Sequence, residues 1–185
     1  LRAGLRGVRQ GMAAALMLAA LGVAAAERPA APAPAFVQFG GGDDRLAAAT
    51  VGLVWPWDWQ RPLMGGQLSG YWEGALAHWS VRGAQGGRST FAMVSLVPML
   101  RYRFDAGRSP WFVEGGIGLA LTDRIFRSSE RRFSTAGNFS DNLAVGHTLG
   151  SGHELSLRLL HVSNGAAKKP NPGQNLLQLR YAFSY

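Results

Sequence analysis

From residue 36 onward, hydrophobic and polar residues alternate with a period of two between short stretches rich in Gly, Pro, Asp and Asn. This alternation is typical of β-strands, whose successive side chains point to opposite faces, whereas a helix would repeat about every 3.6 residues. The pattern predicts eight strands, at 35–41, 46–55, 67–80, 90–104, 111–122, 139–149, 153–163 and 175–185.

Several predicted strands are 11–15 residues long, whereas an ordinary strand has about five or six. A tilted strand that crosses a bilayer needs about 9–11 residues. The lengths therefore favour an all-β fold, an eight-stranded antiparallel transmembrane β-barrel of the outer membrane. Short turns at 105–109 and 150–152 are expected at the periplasmic end, and longer loops at 123–138 and 164–174 outside. A long turn predicted at 56–66 breaks this trend.

The alternation by itself does not decide which face of the barrel is apolar. In the seventh strand Leu155, Leu157 and Leu159 share one face, and Glu154 and Arg158 lie on the other. An apolar outer face is favoured by tryptophans near strand ends and by the aromatic C-terminus, both typical of outer-membrane barrels. These tryptophans are Trp55, Trp57, Trp59, Trp72, Trp79 and Trp111. A soluble periplasmic barrel that binds an apolar ligand inside is the alternative.

The N-terminal residues 1–26 have the three parts of a secretory signal peptide. Three arginines precede the uncharged run 12–26, which ends in Ala24-Ala25-Ala26. Such a run is too short for a typical membrane-spanning helix. A Pro/Ala-rich spacer at 27–35 follows, and 36–185 is predicted to form a single β-barrel domain.

Composition and charge remove several classes of function. The chain has no cysteine, which excludes disulfides, thiolate metal sites and cysteine nucleophiles. Its formal net charge is +8, but export makes nucleic acid an improbable partner. The histidines do not group with carboxylates at metal-ligand spacing, so neither a metal nor a cofactor is expected. Six charged residues are expected to pair inside the barrel: Glu73, Glu114, Arg101, Arg103, Arg158 and Arg180.

His161 and Ser163 are the candidate catalytic pair. They are two residues apart, which places both on the leucine face of the seventh strand, toward lipid. Polar groups on such a face suggest function, and an imidazole can accept the proton of a serine nucleophile. For His78, His147 and His153 a structural role is expected.

The segment from His161 to Gly173, HVSNGAAKKPNPG, resembles the H-x-S-N…K-x-P-N-x-G signature of the lipid A 3-O-deacylase (PagL) family. The resemblance implies an outer-membrane barrel that hydrolyses the acyl ester at the 3-position of lipid A, with Ser163 as nucleophile and His161 as general base. It also makes Asn164 critical for activity. Backbone amides near Gly165 and Ala166, supported by Asn171, would form the oxyanion hole.

The family places a glutamate, the third member of the triad, about 14 residues after the histidine, where this chain reads Gln174-Asn175. Asn175 is predicted to occupy this position, with Gln174 as the competing choice. An amide can orient an imidazole but cannot stabilise its charge as a carboxylate does, and such replacements cost several powers of ten in rate. Asp141 is a further candidate for the acid, whereas Glu154 lies on the opposite face.

Basic residues concentrate in two of the predicted outer loops, where they could hold the phosphates of a lipid A headgroup or simply be solvated. They are Arg124, Arg127, Arg131, Arg132, Lys168 and Lys169. The implied partners are lipopolysaccharide in the outer leaflet and the membrane itself, and a homodimer is compatible with this interpretation. The missing glutamate leaves a second function open, a non-catalytic barrel with a structural or adhesion role.

Overall fold

The computed structural model describes residues 34–150 and 152–183, which form a closed barrel of eight antiparallel strands. Each strand pairs with its neighbours in the chain, and the last pairs with the first. The strands are β1 Ala35–Gly42, β2 Leu46–Leu63, β3 Gly66–Arg82, β4 Arg88–Arg103, β5 Trp111–Thr122, β6 Gly137–Gly150, β7 His153–Ser163 and β8 Gln174–Phe183. The eight predicted strands are thus confirmed.

The predicted signal peptide, most of the predicted spacer and the C-terminal Tyr185 lie outside the described residues. Two short 3₁₀ turns, Asp43–Arg45 and Asp105–Gly107, follow β1 and β4. Within the part that the structure describes, no helix has the length and apolar character needed to cross a membrane.

The prediction of a turn at 56–66 is wrong, because β2 continues to Leu63 and turns into β3 through two residues. A bulge between Pro56 and Gln60 shifts the register against β3 and interrupts the alternation that marked the strand. The Trp57 ring lies over Gly70 of β3, where an added Cβ would overlap the ring. Because β2 is long, this connection has only two residues, as does the β6–β7 connection at the same end of the barrel.

The apolar face of the barrel points outward. In β7 the side chains of Leu155, Leu157 and Leu159 are 38–55% exposed, whereas Ser156 and Arg158 are buried. A soluble barrel would place these leucines inside, so the alternative of an apolar ligand chamber is wrong. An apolar outer belt around a polar interior is the arrangement of transmembrane barrels.

The predicted charge network fills the middle of the barrel. Arg158 of β7 makes two hydrogen bonds to Glu73 of β3, on the opposite wall, and Arg180 reaches the same carboxylate at 3.3 Å. Arg101 pairs with Glu114 at 2.5 Å, and Arg101 and Arg103 both pair with Glu154. Arg101 and Glu114 lie on the adjacent strands β4 and β5, whereas the other pairs connect strands that share no backbone hydrogen bonds. Charged side chains from several strands thus fill this part of the interior.

An aromatic cluster fills the end of the barrel that carries the site. Phe126 and Phe133, from the β5–β6 loop at 123–136, are buried against Phe91 and Trp79. Trp79 is therefore inside the barrel and is not an interfacial tryptophan, contrary to its prediction. The loop is held inward by these rings, which places its polar residues beside the end of β7.

Candidate active site

His161 and Ser163 lie at the end of β7, on its outward face. Their neighbours Leu160 and Val162 point into the barrel and are buried, whereas His161 and Ser163 are half-buried. The strand alternation therefore places both side chains on the apolar outer surface, at its polar edge, as the sequence predicted. Two residues of strand separate their Cα atoms by about 6.6 Å.

Asn175 is the β8 residue that contacts His161. The two are backbone partners in the β7–β8 ladder, and Asn175 Oδ1 lies 2.7 Å from His161 Nδ1. Gln174 points to the opposite face, is fully buried and donates a hydrogen bond to the backbone oxygen of Asp43. Of the two amides that the sequence left in competition, only Asn175 lies beside the imidazole.

Asp43 is the residue of this site that sequence reasoning missed. Asn175 Nδ2 donates to its Oδ2 at 3.2 Å, and Arg131 Nη1 contacts the same oxygen at 3.0 Å. Arg131 also donates to the carbonyl of Gly173 at 2.9 Å. Asp43 precedes Asn175 by 132 residues, and only the closure of β1 against β8 brings the two together. No local motif marks this contact.

Asp141 lies on the other side of His161, as its backbone partner in β6. Its side chain is half-buried and lines the same surface groove as His161 and Asn175. The two carboxylates that the sequence analysis compared as the acid therefore lie in different places. Asp141 is beside the imidazole, whereas Glu154 is inside the barrel in its pairs with Arg101 and Arg103.

Gly173 packs against the edge of the His161 ring. Its φ is +70°, and a Cβ built on it would lie 2.6 Å from His161 Cε1. Both the left-handed backbone and the contact therefore require glycine here. With Asn175 on Nδ1 and Gly173 against the ring edge, the imidazole is confined on two sides.

The loop after Ser163 is a tight turn held by Asn164. Ala167 N–H donates to Asn164 O at 3.1 Å, and the two central residues, Gly165 and Ala166, have φ of +61° and +66°. Positive φ at both centres is the signature of a type I′ turn, and it is strained for an alanine. The turn places two consecutive peptide N–H groups, those of Gly165 and Ala166, close behind Ser163 in the chain.

The Asn164 side chain is buried and fixes this turn to its surroundings. Its Nδ2 donates to Ser134 Oγ at 2.8 Å and to the Lys168 carbonyl at 2.7 Å. The backbone N–H of Asn164 donates to Asn171 Oδ1 at 3.0 Å, so the other end of the Asn171 amide, Nδ2, remains as a donor. Asn164, Gly165, Ala166 and Asn171 therefore form one cluster around the end of β7.

Two apolar grooves lie on the outer surface at this end of the barrel. The first, of about 710 Å³, has His161, Asn175 and Asp141 at its polar end and Leu143, Leu159 and Leu177 along its walls. Gly41, Gly42 and Gly116 also line it, and their lack of side chains deepens it. The second, of about 480 Å³, is lined by Phe139, Asn164 and Ala167 above Leu96 and Leu119.

The basic residues predicted to hold phosphates differ in how far they are engaged. Arg131 is half-buried in ion pairs with Asp43 and Asp44. Arg124 pairs with Asp123, donates to the Thr90 carbonyl and lies over the Phe91 ring. The side chains of the other four are exposed around the site: Arg127, Arg132, Lys168 and Lys169.

The remaining histidines lie away from this site. His147 packs edge-on against Trp111, and His153 stacks on Tyr181 with its Nδ1 2.7 Å from the phenol oxygen. His78 is exposed on the outer face of β3. Across residues 34–150 and 152–183, no three His, Asp or Glu side chains come together as metal ligands.

Comparison with known proteins assigns the chain to a family. The family model described as Lipid A 3-O-deacylase (PagL) matches residues 47–184. Lipid A deacylase PagL of Pseudomonas aeruginosa is 30% identical over 134 residues, 71% of this chain and 74% of that protein. The protein of the same name from Bordetella bronchiseptica is 32% identical over 94 residues, 49% of each chain.

The fold agrees with the same family. The crystal structure of the outer membrane enzyme PagL superposes with a TM-score of 0.72 and 28% sequence identity, covering 83% of this chain and all of that one. The prediction of an eight-stranded outer-membrane barrel is confirmed by this match and by the apolar outer belt. The chain belongs to the lipid A 3-O-deacylase family.

Proposed function

We propose that this protein is an esterase that removes the acyl chain ester-linked to the 3-position of lipid A, with Ser163 as nucleophile and His161 as general base. The observation that carries the proposal is the position of the pair. Both side chains lie on the lipid-facing side of β7, and the imidazole is held at 2.7 Å by Asn175. Family membership supplies the substrate class.

In the first half of the reaction, the Ser163 hydroxyl attacks the ester carbonyl while His161 Nε2 accepts its proton. Collapse of the tetrahedral intermediate breaks the bond to the sugar oxygen, which takes the proton from the imidazolium. The product is the free 3-hydroxyl of lipid A and an acyl chain on Ser163. In the second half, water attacks the acyl-enzyme with His161 as base, which releases the fatty acid and restores the serine.

The turn after Ser163 is suited to hold the oxyanion of both intermediates. The N–H groups of Gly165 and Ala166 follow the nucleophile by two and three residues, and Asn171 offers its Nδ2 from the far side of the loop. Donors that are fixed before the reaction stabilise developing charge without reorganisation. The buried Asn164 keeps this turn in place through Ser134 and Lys168.

The 710 Å³ groove is where we place the acyl chain that is cut. It begins at His161 and runs between Leu143, Leu159 and Leu177, on the surface that faces the hydrocarbon of the outer leaflet. An acyl chain seated there has its ester at the polar end of the groove. The exposed Arg127, Arg132, Lys168 and Lys169 then lie at headgroup height, where cations attract phosphates.

The test is mass spectrometry of lipid A from bacteria that express the full chain or its Ser163→Ala or His161→Ala variant. We expect the wild type to remove one hydroxyacyl chain and each variant to remove none. Faster gel migration of unheated samples would show that all three proteins are folded barrels. Unchanged deacylation by either variant would overturn the proposed chemistry.

A non-catalytic barrel remains the second candidate, because an amide, Asn175, stands where a triad carboxylate would contact the imidazole. The same experiment separates the two functions. A folded, membrane-inserted wild type that leaves lipid A intact, also as purified protein on purified lipid A, would support a structural or adhesion role.

A further inference from the structure

The contact between His161 and Asn175 extends to a carboxylate, because the Asn175 amide also binds Asp43. Its Oδ1 lies 2.7 Å from His161 Nδ1, and its Nδ2 donates to Asp43 Oδ2 at 3.2 Å. Arg131 contacts the same carboxylate oxygen at 3.0 Å. Side chains from four parts of the chain therefore form one line of polar contacts: His161, Asn175, Asp43 and Arg131.

The chemistry of the two ends decides which way the amide points. An ionised carboxylate only accepts hydrogen bonds, so the NH₂ group of Asn175 must face Asp43. Its oxygen must then face His161, and an amide oxygen only accepts. His161 Nδ1 therefore carries the proton, which leaves Nε2 unprotonated and able to act as a base toward Ser163.

Asp43 is held firmly enough to set this direction. It begins the 3₁₀ turn Asp43–Arg45 between β1 and β2, and Arg131 ties it to the β5–β6 loop. Its backbone carbonyl accepts a hydrogen bond from the fully buried Gln174, next to Asn175. Arg131 also donates to the Gly173 carbonyl, beside the imidazole edge. The carboxylate, the amide and the ring are thus positioned by one set of contacts.

We propose that Asp43, acting through Asn175, is a positioning residue for His161 and takes over part of the role of the carboxylate that this chain lacks at position 175. The carboxylate fixes the tautomer of the imidazole by orienting the amide. It also places a negative charge behind the imidazolium, which acts more weakly than direct contact would because the distance is greater and Arg131 offsets part of the charge. The kinetic part of this inference rests on the proposed esterase function.

The kinetic test compares Asp43→Asn in two backgrounds, by single-turnover deacylation of purified lipid A. In the wild-type background we expect at least a tenfold lower rate. In an Asn175→Glu background, where a carboxylate contacts His161 directly, we expect Asp43→Asn to change the rate less than threefold. A merely structural role of Asp43 would lower the rate by the same factor in both backgrounds, which would overturn the inference.

Asp105→Asn is the matched control. Asp105 also begins a 3₁₀ turn and pairs with an arginine, Arg108, but at the other end of the barrel. We expect it to leave the rate unchanged. Asn175 is exposed, and Asn175→Leu interrupts the line while leaving Asp43 and its pair with Arg131 in place. It therefore covers the case in which Asp43→Asn does not fold. It should cause a loss of the same size, and a loss below threefold would contradict the inference.

A second readout does not need turnover. The ¹⁵N signals of His161, assigned with His161→Gln, should show the Nδ1–H tautomer in the wild-type barrel in detergent micelles. In Asp43→Leu, which removes the acceptor, or in Asn175→Leu, which removes the amide, the two tautomers should mix. If the Nδ1–H tautomer is unchanged in these variants, or is lost only in Asp141→Asn, the role of Asp43 is refuted even if the wild type deacylates lipid A. Conversely, an inactive wild type with the expected tautomer change would refute only the proposed function.

Discussion

At the scale of single residues, the site differs from a serine–histidine–acid triad at one position. Asn175 contacts the imidazole as a triad acid does, and the nearest carboxylate behind it is Asp43. An amide holds the ring but carries no charge, so the imidazolium formed during the reaction is less stabilised. The identity of residue 175 should therefore limit the rate.

Asn175→Glu is expected to raise the rate of deacylation at least tenfold, which corresponds to about 1.4 kcal/mol of barrier. Gln174→Glu is the matched control, because Gln174 is fully buried inside the barrel and faces away from His161. Single-turnover assays of both variants on purified lipid A provide the measurement. An equal gain from both variants, or from neither, would contradict this role of position 175.

Gly173 offers a second test at the residue scale. In Gly173→Ala the new methyl would lie 2.6 Å from His161 Cε1, so the ring must move. We expect more than a tenfold loss of deacylation, because a shift of about 1 Å in a catalytic group can cost about 100-fold. The measurement is the same single-turnover assay.

Gly86→Ala is the control for backbone strain alone. Gly86 has a φ of +88°, similar to that of Gly173, but a Cβ there would meet nothing within 4 Å. It should retain the wild-type rate. If both alanine variants lose activity to the same extent, strain and not contact with His161 is the cause.

At the scale of elements, two neighbouring arginines of the β5–β6 loop have different roles. Arg131 is half-buried against Asp43 and donates to the Gly173 carbonyl, so it supports the site. Arg132 is exposed, and its backbone forms an isolated bridge to Arg127. Neighbouring residues of the same type thus differ in what they contact.

Arg132→Gln is expected to weaken activity on phosphorylated lipid A several-fold and to leave hydrolysis of a small neutral ester unchanged. Arg131→Gln should slow both reactions, because it frees Asp43 and the Gly173 carbonyl. Rates of each variant on the two substrates provide the measurement. Equal effects of Arg132→Gln on both substrates would show that its charge does not contact phosphate.

At the scale of the whole molecule, ion pairs across the interior connect opposite walls of the barrel. Glu73 of β3 and Arg158 of β7 are both buried, and no backbone hydrogen bonds link these strands. Loss of one partner of a buried pair leaves an uncompensated charge, which costs about 3–5 kcal/mol.

Arg158→Met should therefore destabilise the barrel strongly, by up to about 3–5 kcal/mol, with Arg180 offsetting part of the loss through its own pair with Glu73. The double variant Arg158→Met/Arg180→Met should be less stable than Arg158→Met alone, because it leaves the buried Glu73 carboxylate without either of its arginine partners. Urea unfolding in lipid vesicles measures both. If the double variant is no less stable than Arg158→Met, an uncompensated charge on Glu73 does not explain the effect.

Much of this protein could be predicted from local pattern. The period-two alternation identified eight strands and the face of β7 that carries His161 and Ser163, because side-chain direction in a strand follows from the backbone alone. The resemblance of the segment after His161 to a family signature likewise singled out Asn164, Gly165 and Ala166. In β2 the prediction ended too early, because a bulge breaks the alternation while the pairing with β3 continues.

The remainder required the closed barrel. The sequence left Gln174 and Asn175 in competition, and the register of β8 against β7 and β1 turns Gln174 inward and Asn175 toward His161. Asp43 and Arg131 reach the site from other connections at the same rim. Contacts between residues this far apart in the chain depend on how strands pair around the barrel, and no local period encodes that pairing.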